Sequence, residues 1–438
     1  MYTCTKCDAQ SPKWAGRCSV CNAWGTMQEE VKTAKAAHLP KKKAAPATSA
    51  RLFDVAKQNE YDRFVLGDPE IDRVFGGGMV KGSLILIAGE PGIGKSTMVA
   101  AIAGEVANAK QEVLYVSGEE SAAQLAARFA RIEKKTEHVR VIDPLPIETI
   151  VSTIEKEKPA FVVIDSAQTM TSAEIESAPG TPTLVRYGTS LLLDLAKRTE
   201  TTILIVGQVT KEGNVAGPKT LEHLVDTVLY LEGDPVHAYR LLRSRKNRFG
   251  STDEIGVFEM TAKGLLAVEN PSARFLEERS ASSGSVITAT VEGSRVFLVE
   301  VQALVEKTSY GTPVRRASGF DQNRLQMLTA ILSKHAGLKL GEQDVYVNVI
   351  GGLKLTEPAV DLAVCAAILG AAKNKTEDQP SIYLGEVGLS GETRSIPLLE
   401  RRLEEAKRLG MTQAFIPGKK KPKTEGVLIK QISTIKNL

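Results

Sequence analysis

Hydrophobic positions between residues 61 and 272 fall into short apolar runs separated by amphipathic stretches. The runs favour strands because they are short and rich in branched side chains. They cover residues 83–88, 113–116, 139–142, 161–164, 203–206, 228–231 and 238–242. Stretches with helical periodicity lie among them, at 98–106, 122–132, 147–157 and 184–198. This alternation predicts an α/β domain built on a parallel-rich sheet.

After a short link containing Pro271 the pattern predicts a second, α+β unit. Its strand candidates are residues 286–291 and 296–301, and helices follow at 323–334, 359–370 and 398–409. Residues 31–58 are rich in alanine and lysine, with Asp54 as the single acid, and indicate a basic flexible linker. Nucleic-acid binding and a simple solvated tether both explain that charge. We predict four parts: 1–30, 31–58, 59–272 and 273–438.

Composition places the chain among ordinary globular proteins, with 42% hydrophobic and 25% charged residues. No apolar run approaches the roughly 20 residues that span a bilayer, and no signal core precedes the first domain. We therefore expect a cytoplasmic protein without a membrane partner. The net charge of +4 indicates little about partners.

The run at 83–88 leads directly into a glycine-rich stretch with the spacing of a phosphate-binding loop. In order, it comprises Gly89, Glu90, Pro91, Gly92, Ile93, Gly94, Lys95, Ser96 and Thr97. Glycines let backbone N–H groups curl around phosphates because no Cβ stands in the way. Lys95 suits the β- and γ-phosphates, and the Ser96 hydroxyl suits Mg²⁺. The strand, loop and helix order predicts binding of ATP with Mg²⁺.

Four of the five cysteines form two Cys-x-x-Cys pairs near the start of the chain: Cys4, Cys7, Cys18 and Cys21. Together they complete the tetrahedral thiolate set that Zn²⁺ prefers in closed structural sites. So short a segment has no core of its own, so metal binding supplies its folding energy. A redox pair or an iron–sulfur cluster remains the alternative. Trp14 and Trp24 lie beside the cysteines; contact with a base or a partner protein would explain them, but we favour packing over the metal site.

Carboxylates follow two of the predicted strands. Asp165 ends the run Phe-Val-Val-Ile-Asp, the form of a Walker B strand, and could hold Mg²⁺ through its water shell. Glu119 and Glu120 follow the strand at 113–116, where a carboxylate can polarise the attacking water. We favour Glu119 of the two, although a solvated loop also explains the pair.

This order of parts resembles the RecA-type motor core. The resemblance rests on the P-loop, an acid after the next strand, Asp165, and Gln208 at the end of a later strand. It implies that Gln208 senses the γ-phosphate and passes its state to DNA-binding loops. Those loops would be residues 171–187 and 210–223, and their candidate DNA contacts are Arg186, Lys211, Lys219 and His223. Ordinary surface connections explain the same segments equally well.

A tight basic cluster, Lys-Asn-Arg-Phe-Gly, occupies residues 246–250, namely Lys246, Asn247, Arg248, Phe249 and Gly250. Cations supplied across a subunit interface stabilise charge on a γ-phosphate, so we expect Lys246 and Arg248 to act in trans. This motif, the cysteine module and the P-loop together resemble the RadA (Sms) family of bacterial DNA repair proteins. That resemblance implies a homo-oligomeric ring, usually a hexamer, which binds single-stranded DNA and drives branch migration of recombination intermediates. It also implies a recombinase or replication protein as partner of the zinc finger.

The second unit resembles the peptidase domain of the Lon protease family, through residues 351–359 and 385–392. In that family a lysine activates a serine nucleophile. The serine position falls on Ala359 and the lysine position on Glu400, so the resemblance implies a proteolytically inactive scaffold. Oligomerisation and DNA contact are its expected tasks, the latter helped by Lys419, Lys420, Lys421 and Lys423, although a solvated tail explains these lysines as well.

The residues alone leave two other functions open. A motor joined to a Lon-like domain is also the organisation of an ATP-dependent protease, which would need a nucleophile where Ala359 stands. A nucleotide-regulated assembly switch of the circadian-clock ATPase kind would share the Glu119 and Glu120 pair, but it does not call for the cysteine module.

Overall fold

The computed structural model describes most of the chain and divides into two compact units. It describes residues 2–4, 10–11, 13–29, 61–208, 221–233, 239–276, 279, 282–309, 311–351, 353–418, 422 and 426–438. The first unit comprises 1–232, 240–252 and 258–267, and the second comprises 233–239, 253–257 and 268–438. The predicted linker, 31–58, lies outside the described residues. Within the described ranges, no helix has the length and apolar character that crossing a membrane requires.

Short strands begin the first unit. A three-stranded antiparallel sheet contains β1 (Tyr2–Cys4), β2 (Gln10–Ser11) and β3 (Met27–Glu29), in the order β2-β1-β3. Further along, β4 (Arg63–Phe64) pairs with β5 (Met79–Val80).

A nine-stranded sheet follows, and its helices alternate with its first strands. The elements are α1 (Pro69–Phe75), β6 (Leu84–Gly89), α2 (Lys95–Asn108), β7 (Val113–Ser117), α3 (Ala122–Arg131), β8 (Val139–Ile142), α4 (Ile147–Glu157), β9 (Phe161–Asp165), α5 (Pro182–Thr199), β10 (Thr202–Gln208), β11 (Thr227–Glu232), β12 (Tyr239–Asn247), β13 (Ile255–Thr261) and β14 (Gly264–Ala267). The strand order is β14-β13-β12-β11-β6-β10-β9-β7-β8. From β11 to β8 every pairing is parallel. The predicted parallel-rich α/β sheet is confirmed.

Strand β6 lies inside this sheet and is buried on both faces. Ile85 and Ile87 pack in the cluster that contains buried residues of α2 and α3. Leu84 and Leu86 pack in the cluster that contains residues of α4 and α5. Burial on both faces explains why β6 is a continuous apolar run rather than an alternating one.

Two predicted boundaries in this unit were wrong. Strand β12 continues to Asn247 instead of ending at 242. It pairs antiparallel to β11, with Leu242 and Ser244 buried and with Arg243 and Arg245 on the other face, so the polar residues of its second half concealed the strand. Helix α5 begins at Pro182, because a proline is well suited to the first helical turn. Arg186 therefore lies on a helix and not in a loop.

The second unit is built on a seven-stranded mixed sheet. Its elements are α6 (Pro271–Leu276), β15 (Ser285–Glu292), β16 (Arg295–Lys307), β17 (Arg315–Ser318), α7 (Gln322–His335), β18 (Gln343–Val349), α8 (Asp361–Lys373), β19 (Ser381–Tyr383), β20 (Glu386–Val387), β21 (Thr393–Arg394), α9 (Leu399–Arg408), β22 (Gln413–Pro417) and β23 (Leu428–Ile432). The order is β17-β18-β16-β15-β19-β22-β23. Strands β15, β16 and β18 pair antiparallel, and β19, β22 and β23 pair parallel. This is an α+β domain, as predicted.

Candidate functional site

The P-loop connects the carboxyl end of β6 to the start of α2. A Cβ at Gly89 would lie 2.5 Å from the carbonyl oxygen of Leu231, so only glycine fits there. Gly92 and Gly94 have φ angles of +76° and +112°, which side-chain-bearing residues rarely adopt. The loop can therefore curve tightly, and the first N–H groups of α2 provide an anion-binding end.

Lys95 lies in the concave side of this loop and is only 7% exposed. Its Nζ donates hydrogen bonds to the carbonyl oxygens of Gly89, at 3.0 Å, and Glu90, at 2.9 Å. Burial lowers the pKa of Lys95, and the nearby carboxylates of Glu119 and Asp165 oppose that effect. A phosphate bound in the loop would therefore take the place of these two carbonyl oxygens as the partner of the ammonium group.

Asp165 ends β9 beside the P-loop and is 5% exposed. Burial raises its pKa, and the hydrogen bond from the Tyr115 hydroxyl acts against that rise. The Tyr115 hydroxyl donates to Oδ2 at 3.0 Å. Oδ1 is buried without a partner in hydrogen-bonding geometry among the described residues, so the Ser96 hydroxyl does not satisfy it. An unpaired buried carboxylate oxygen next to a P-loop serine fits the water shell of Mg²⁺.

Glu119 meets the end of β10 above the P-loop. Its Oε1 accepts hydrogen bonds from Ser166 Oγ at 2.7 Å and from Gln208 Nε2 at 2.9 Å. The approach depends on Gly118, where a Cβ would lie 2.0 Å from Thr169 Oγ1. Three strand ends therefore converge on a single carboxylate oxygen, as expected for neighbouring parallel strands.

Glu120 points elsewhere, although it is adjacent to Glu119. Its carboxylate pairs with the guanidinium of Arg128 on α3, through Nε at 3.0 Å and through a shorter contact from Nη2. Arg128 Nη1 also donates to Thr97 Oγ1 at 2.9 Å. Glu120 thus joins α3 to the start of α2, whereas Glu119 is the glutamate beside Gln208.

The Lys-Asn-Arg-Phe-Gly motif lies at the end of the sheet where β6 begins, opposite the end where β6 leads into the P-loop. Arg248 Nη1 pairs with Asp226 Oδ1 at 3.1 Å, and Asp226 Oδ2 accepts the N–H of Leu84, the first residue of β6. Lys246 Nζ donates to the carbonyl oxygen of Glu222 at 2.7 Å. The P-loop begins at the other end of β6, and six strand residues span roughly 17 Å. Both cations therefore lie far from the phosphate site of their own chain.

Phe249, Asn247 and Gly250 of the same motif pack against the amino-terminal part of the domain. The Phe249 ring meets the edge of the Tyr61 ring at 5.0 Å, and Asn247 Nδ2 donates to the Phe75 carbonyl at 3.3 Å. A Cβ at Gly250 would lie 3.1 Å from Asn247 Nδ2. These three residues fix the backbone that presents Lys246 and Arg248.

Three of the four predicted metal ligands lie together in the first module. The Sγ atoms of Cys4, Cys18 and Cys21 are within 4.8 Å of one another, whereas Cys7 lies outside the described residues. Three clustered thiols, one at the end of β1 and two beside the turn at residues 19–21, suit a tetrahedral thiolate site. The expectation that the tryptophans cover this site was wrong, since Trp14 is 64% and Trp24 75% exposed. The module is too small to offer them a core.

The two Lon-like positions hold a buried alanine and an exposed glutamate. Ala359 lies in a 3₁₀ turn, Pro358–Val360, and is 3% exposed, and Glu400 lies in the first turn of α9. Nearby, Arg402 is buried and donates to both carboxylate oxygens of Glu357, at 2.9 and 2.6 Å. A buried, bidentate pair of this kind locks the region structurally.

Comparison with known proteins decides the family. The chain is 46% identical to the DNA repair protein RadA of Bacillus subtilis (strain 168), over 95% of this chain and 92% of that one. It is 46% identical to the DNA repair protein RadA of Aquifex aeolicus (strain VF5), over 99% and 97%. The chain belongs to the RadA family of DNA repair proteins. The family resemblance expected from the motifs is confirmed.

Family profiles match three separate parts of this RadA-family chain. They are described as rubredoxin metal binding domain at residues 2–29, AAA domain at 52–214, and subunit ChlI of Mg-chelatase at 320–420. The chain therefore has a metal-binding module, an ATPase domain and a Lon-like domain, in the predicted order. A solved structure of the KaiC-like protein PH0186 from Pyrococcus horikoshii OT3 matches 48% of this chain and 100% of its own, at 20% identity and a TM-score of 0.41, which is too low to bear on function.

The DNA-contact candidates are not brought together in the described residues. Lys211, Lys219 and the lysines at 419–421 and 423 lie outside them. Arg186 is exposed on α5, and His223 is exposed near Lys246, which bonds to its carbonyl oxygen. In the segment 171–187 Glu174 and Glu176 outnumber Arg186, so its formal charge is negative.

Sequence reasoning missed Ser166, Tyr115 and Arg240 in this RadA-family site. Ser166 follows the Walker B aspartate and could have been found from that adjacency alone. Arg240 is 5% exposed and donates from Nε to the Ile93 carbonyl of the P-loop at 3.2 Å. Neither Tyr115 nor Arg240 has a sequence signal, because each contact joins residues at least 50 positions apart in the chain.

Replacing Cys18 with serine is expected to remove the metal from the first module. Wild-type chain should carry about one zinc ion, and Cys18→Ser essentially none, because structural zinc sites need all four ligands. Metal analysis of purified protein measures this. Cys365→Ala is the matched control, since Cys365 is buried in α8 of the other unit. Stoichiometric zinc in Cys18→Ser would refute the ligand assignment.

Proposed function

We propose that this chain is a DNA-dependent ATPase that works as a ring-shaped motor, helicase-like in action, in homologous recombination and DNA repair. Membership of the RadA family and the P-loop ATPase domain support the repair ATPase. The ring and the motor action go beyond those findings and rest on the geometry of the site.

Each residue at the P-loop edge has a chemical task in this proposal. Lys95 contacts the β- and γ-phosphates, and Ser96 and Asp165 hold Mg²⁺. Bound Mg²⁺ supplies positive charge to the β- and γ-phosphates. Glu119 orients the attacking water and accepts its proton, since its carboxylate lies at the end of the adjacent strand beside Gln208.

One observation carries the ring: Lys246 and Arg248 lie at the sheet edge opposite their own P-loop. Arg248 is tied to Asp226 beside the start of β6, and its side chain is 49% exposed. A strand roughly 17 Å long separates that position from the phosphate site. Such a cation can reach a γ-phosphate only on a neighbouring copy, as in-trans arginine fingers do. Hydrolysis then requires assembly, for which a closed ring of identical chains, usually a hexamer in this family, is the natural form.

Gln208 provides the proposed coupling to DNA. It contacts Glu119 directly, and the chain continues from it into residues 209–223, with Lys211, Lys219 and His223. Loss of the γ-phosphate would change the hydrogen-bond partners of Gln208. The conformation of the residues that follow Gln208 would then change as well. A polar segment with lysines that can contact phosphates suits single-stranded DNA and the strands of branched intermediates.

The other parts serve assembly and recruitment in this proposal. The cysteine module binds Zn²⁺ and docks a recombinase or replication protein, and the exposed Trp14 and Trp24 favour a surface role. The Lon-like domain acts as an inactive scaffold for oligomerisation and DNA contact. We keep the predicted division of the chain into four parts, with boundaries after residues 30, 58 and 272, as part of this proposal.

The test is the ATPase rate titrated with single-stranded DNA, together with the mass of the protein with and without nucleotide. The proposal predicts stimulation by DNA and a ring-sized mass with nucleotide. A monomeric mass and no stimulation would contradict it. Nucleotide-dependent assembly that is indifferent to DNA would instead favour an assembly switch, and ATP-stimulated casein cleavage would favour a protease.

A further inference from the structure

Tyr115 is a polar residue in the apolar core beneath the ATPase site. It lies on β7, is fully buried, and belongs to the hydrophobic cluster that packs α2 and α3 on the sheet. Its ring meets the edge of the Phe129 ring at 6.4 Å. Its hydroxyl donates to Asp165 Oδ2 at 3.0 Å. A buried hydroxyl needs such a partner, because burying a hydroxyl without a hydrogen bond destabilises the folded state.

This hydrogen bond distinguishes the two oxygens of Asp165. Oδ2 is held from the core by Tyr115, whereas Oδ1 is buried and lacks a partner among the described residues. If the carboxylate could rotate freely, either of its oxygens could accept the available hydrogen bond. With Oδ2 fixed, Oδ1 stays free to accept from a ligand's water shell.

We propose that Tyr115 is a positioning residue that holds the Asp165 carboxylate with Oδ1 directed to Mg²⁺. The inference rests on the proposed function, because it needs nucleotide and Mg²⁺ at the P-loop. Tyr115 touches neither nucleotide nor metal, and it acts only through Asp165. It therefore affects how tightly the metal is held, and not how tightly the nucleotide is held without metal.

The test compares wild type with Tyr115→Phe, which removes one oxygen and keeps the ring. Binding of a fluorescent ADP is measured in EDTA and across a Mg²⁺ titration. We expect unchanged affinity in EDTA and about a tenfold higher Mg²⁺ concentration for half-maximal tightening, the effect of one hydrogen bond to a charged group. ATPase activity should recover at high Mg²⁺.

Phe129→Leu is the matched control. It disturbs the same ring packing without touching the hydroxyl, so it should lower the thermal unfolding midpoint and leave the Mg²⁺ concentration for half-maximal tightening unchanged.

Three outcomes are separable. A wild-type Mg²⁺ titration in Tyr115→Phe overturns the inference. Equal loss of affinity with and without Mg²⁺, or an equal Mg²⁺ shift in Phe129→Leu, assigns Tyr115 a merely structural role and also overturns it. Wild-type protein that binds ADP without any Mg²⁺ dependence would instead overturn the proposed ATPase site itself.

Discussion

Lys95→Ala is expected to lower ATPase turnover by at least about 100-fold, while the folded structure stays intact. Among the described residues the ammonium of Lys95 donates to two backbone carbonyls, and burial of its charge is itself costly. Its contact with the γ-phosphate would be strongest in the transition state, where removal of one such contact costs on the order of 100- to 1,000-fold. Steady-state kinetics measures the loss.

The stability of the same variant separates chemistry from folding. Loss of two hydrogen bonds destabilises the fold, whereas removal of a buried charge stabilises it. Because the two effects partly cancel, the free energy of unfolding should change by about 1 kcal/mol or less. Thermal or urea unfolding measures this. Parental ATPase rates in Lys95→Ala would show that the P-loop assignment is wrong.

Glu119→Gln is expected to lower turnover by roughly 100- to 10,000-fold, the usual contribution of a general base. Glutamine keeps the Oε1 atom that accepts from Ser166 and Gln208, so the surrounding contacts can persist. It cannot take the proton of the attacking water. ATP should therefore still bind, and nucleotide-binding and single-turnover measurements on the same protein separate the two effects.

Glu120→Gln is the comparison that identifies the base. Its carboxylate pairs with Arg128, which bonds to Thr97, so the change should weaken that brace and cost about 1 kcal/mol or less in unfolding free energy. The fall in turnover should be far smaller than for Glu119→Gln. The reverse order of the two variants would make Glu120 the base.

Local patterns predicted the elements around the P-loop because burial on both faces produces continuous apolar runs. Leu84 to Ala88 is such a run, and it made β6 recognisable. Strand β12 was cut short because Arg243 and Arg245 lie on its less buried face beyond Leu242, and no local signal separates this polar stretch from a basic loop. The same limit applies to the Tyr115 to Asp165 bond, which joins residues 50 positions apart.

The direction of parallel strands made part of the site predictable. Their carboxyl ends share one edge, so Glu119, Asp165 and Gln208 were expected to lie near the P-loop, and the hydrogen bonds of Glu119 to Gln208 and to Ser166, which follows Asp165, agree with that geometry. The position of Arg248 could not be read in this way, since it depends on an antiparallel strand returning to the other edge.

Mixing two inactive chains tests the shared site most directly. Lys95→Ala keeps Arg248, and Arg248→Ala keeps its P-loop, so a ring of both contains some complete interfaces. With single-stranded DNA each variant alone should be nearly inactive, and an equimolar mixture should regain about a quarter of wild-type ATPase activity, because random assembly completes that share of interfaces. A mixture no more active than the average of its two components would contradict hydrolysis shared between neighbouring copies.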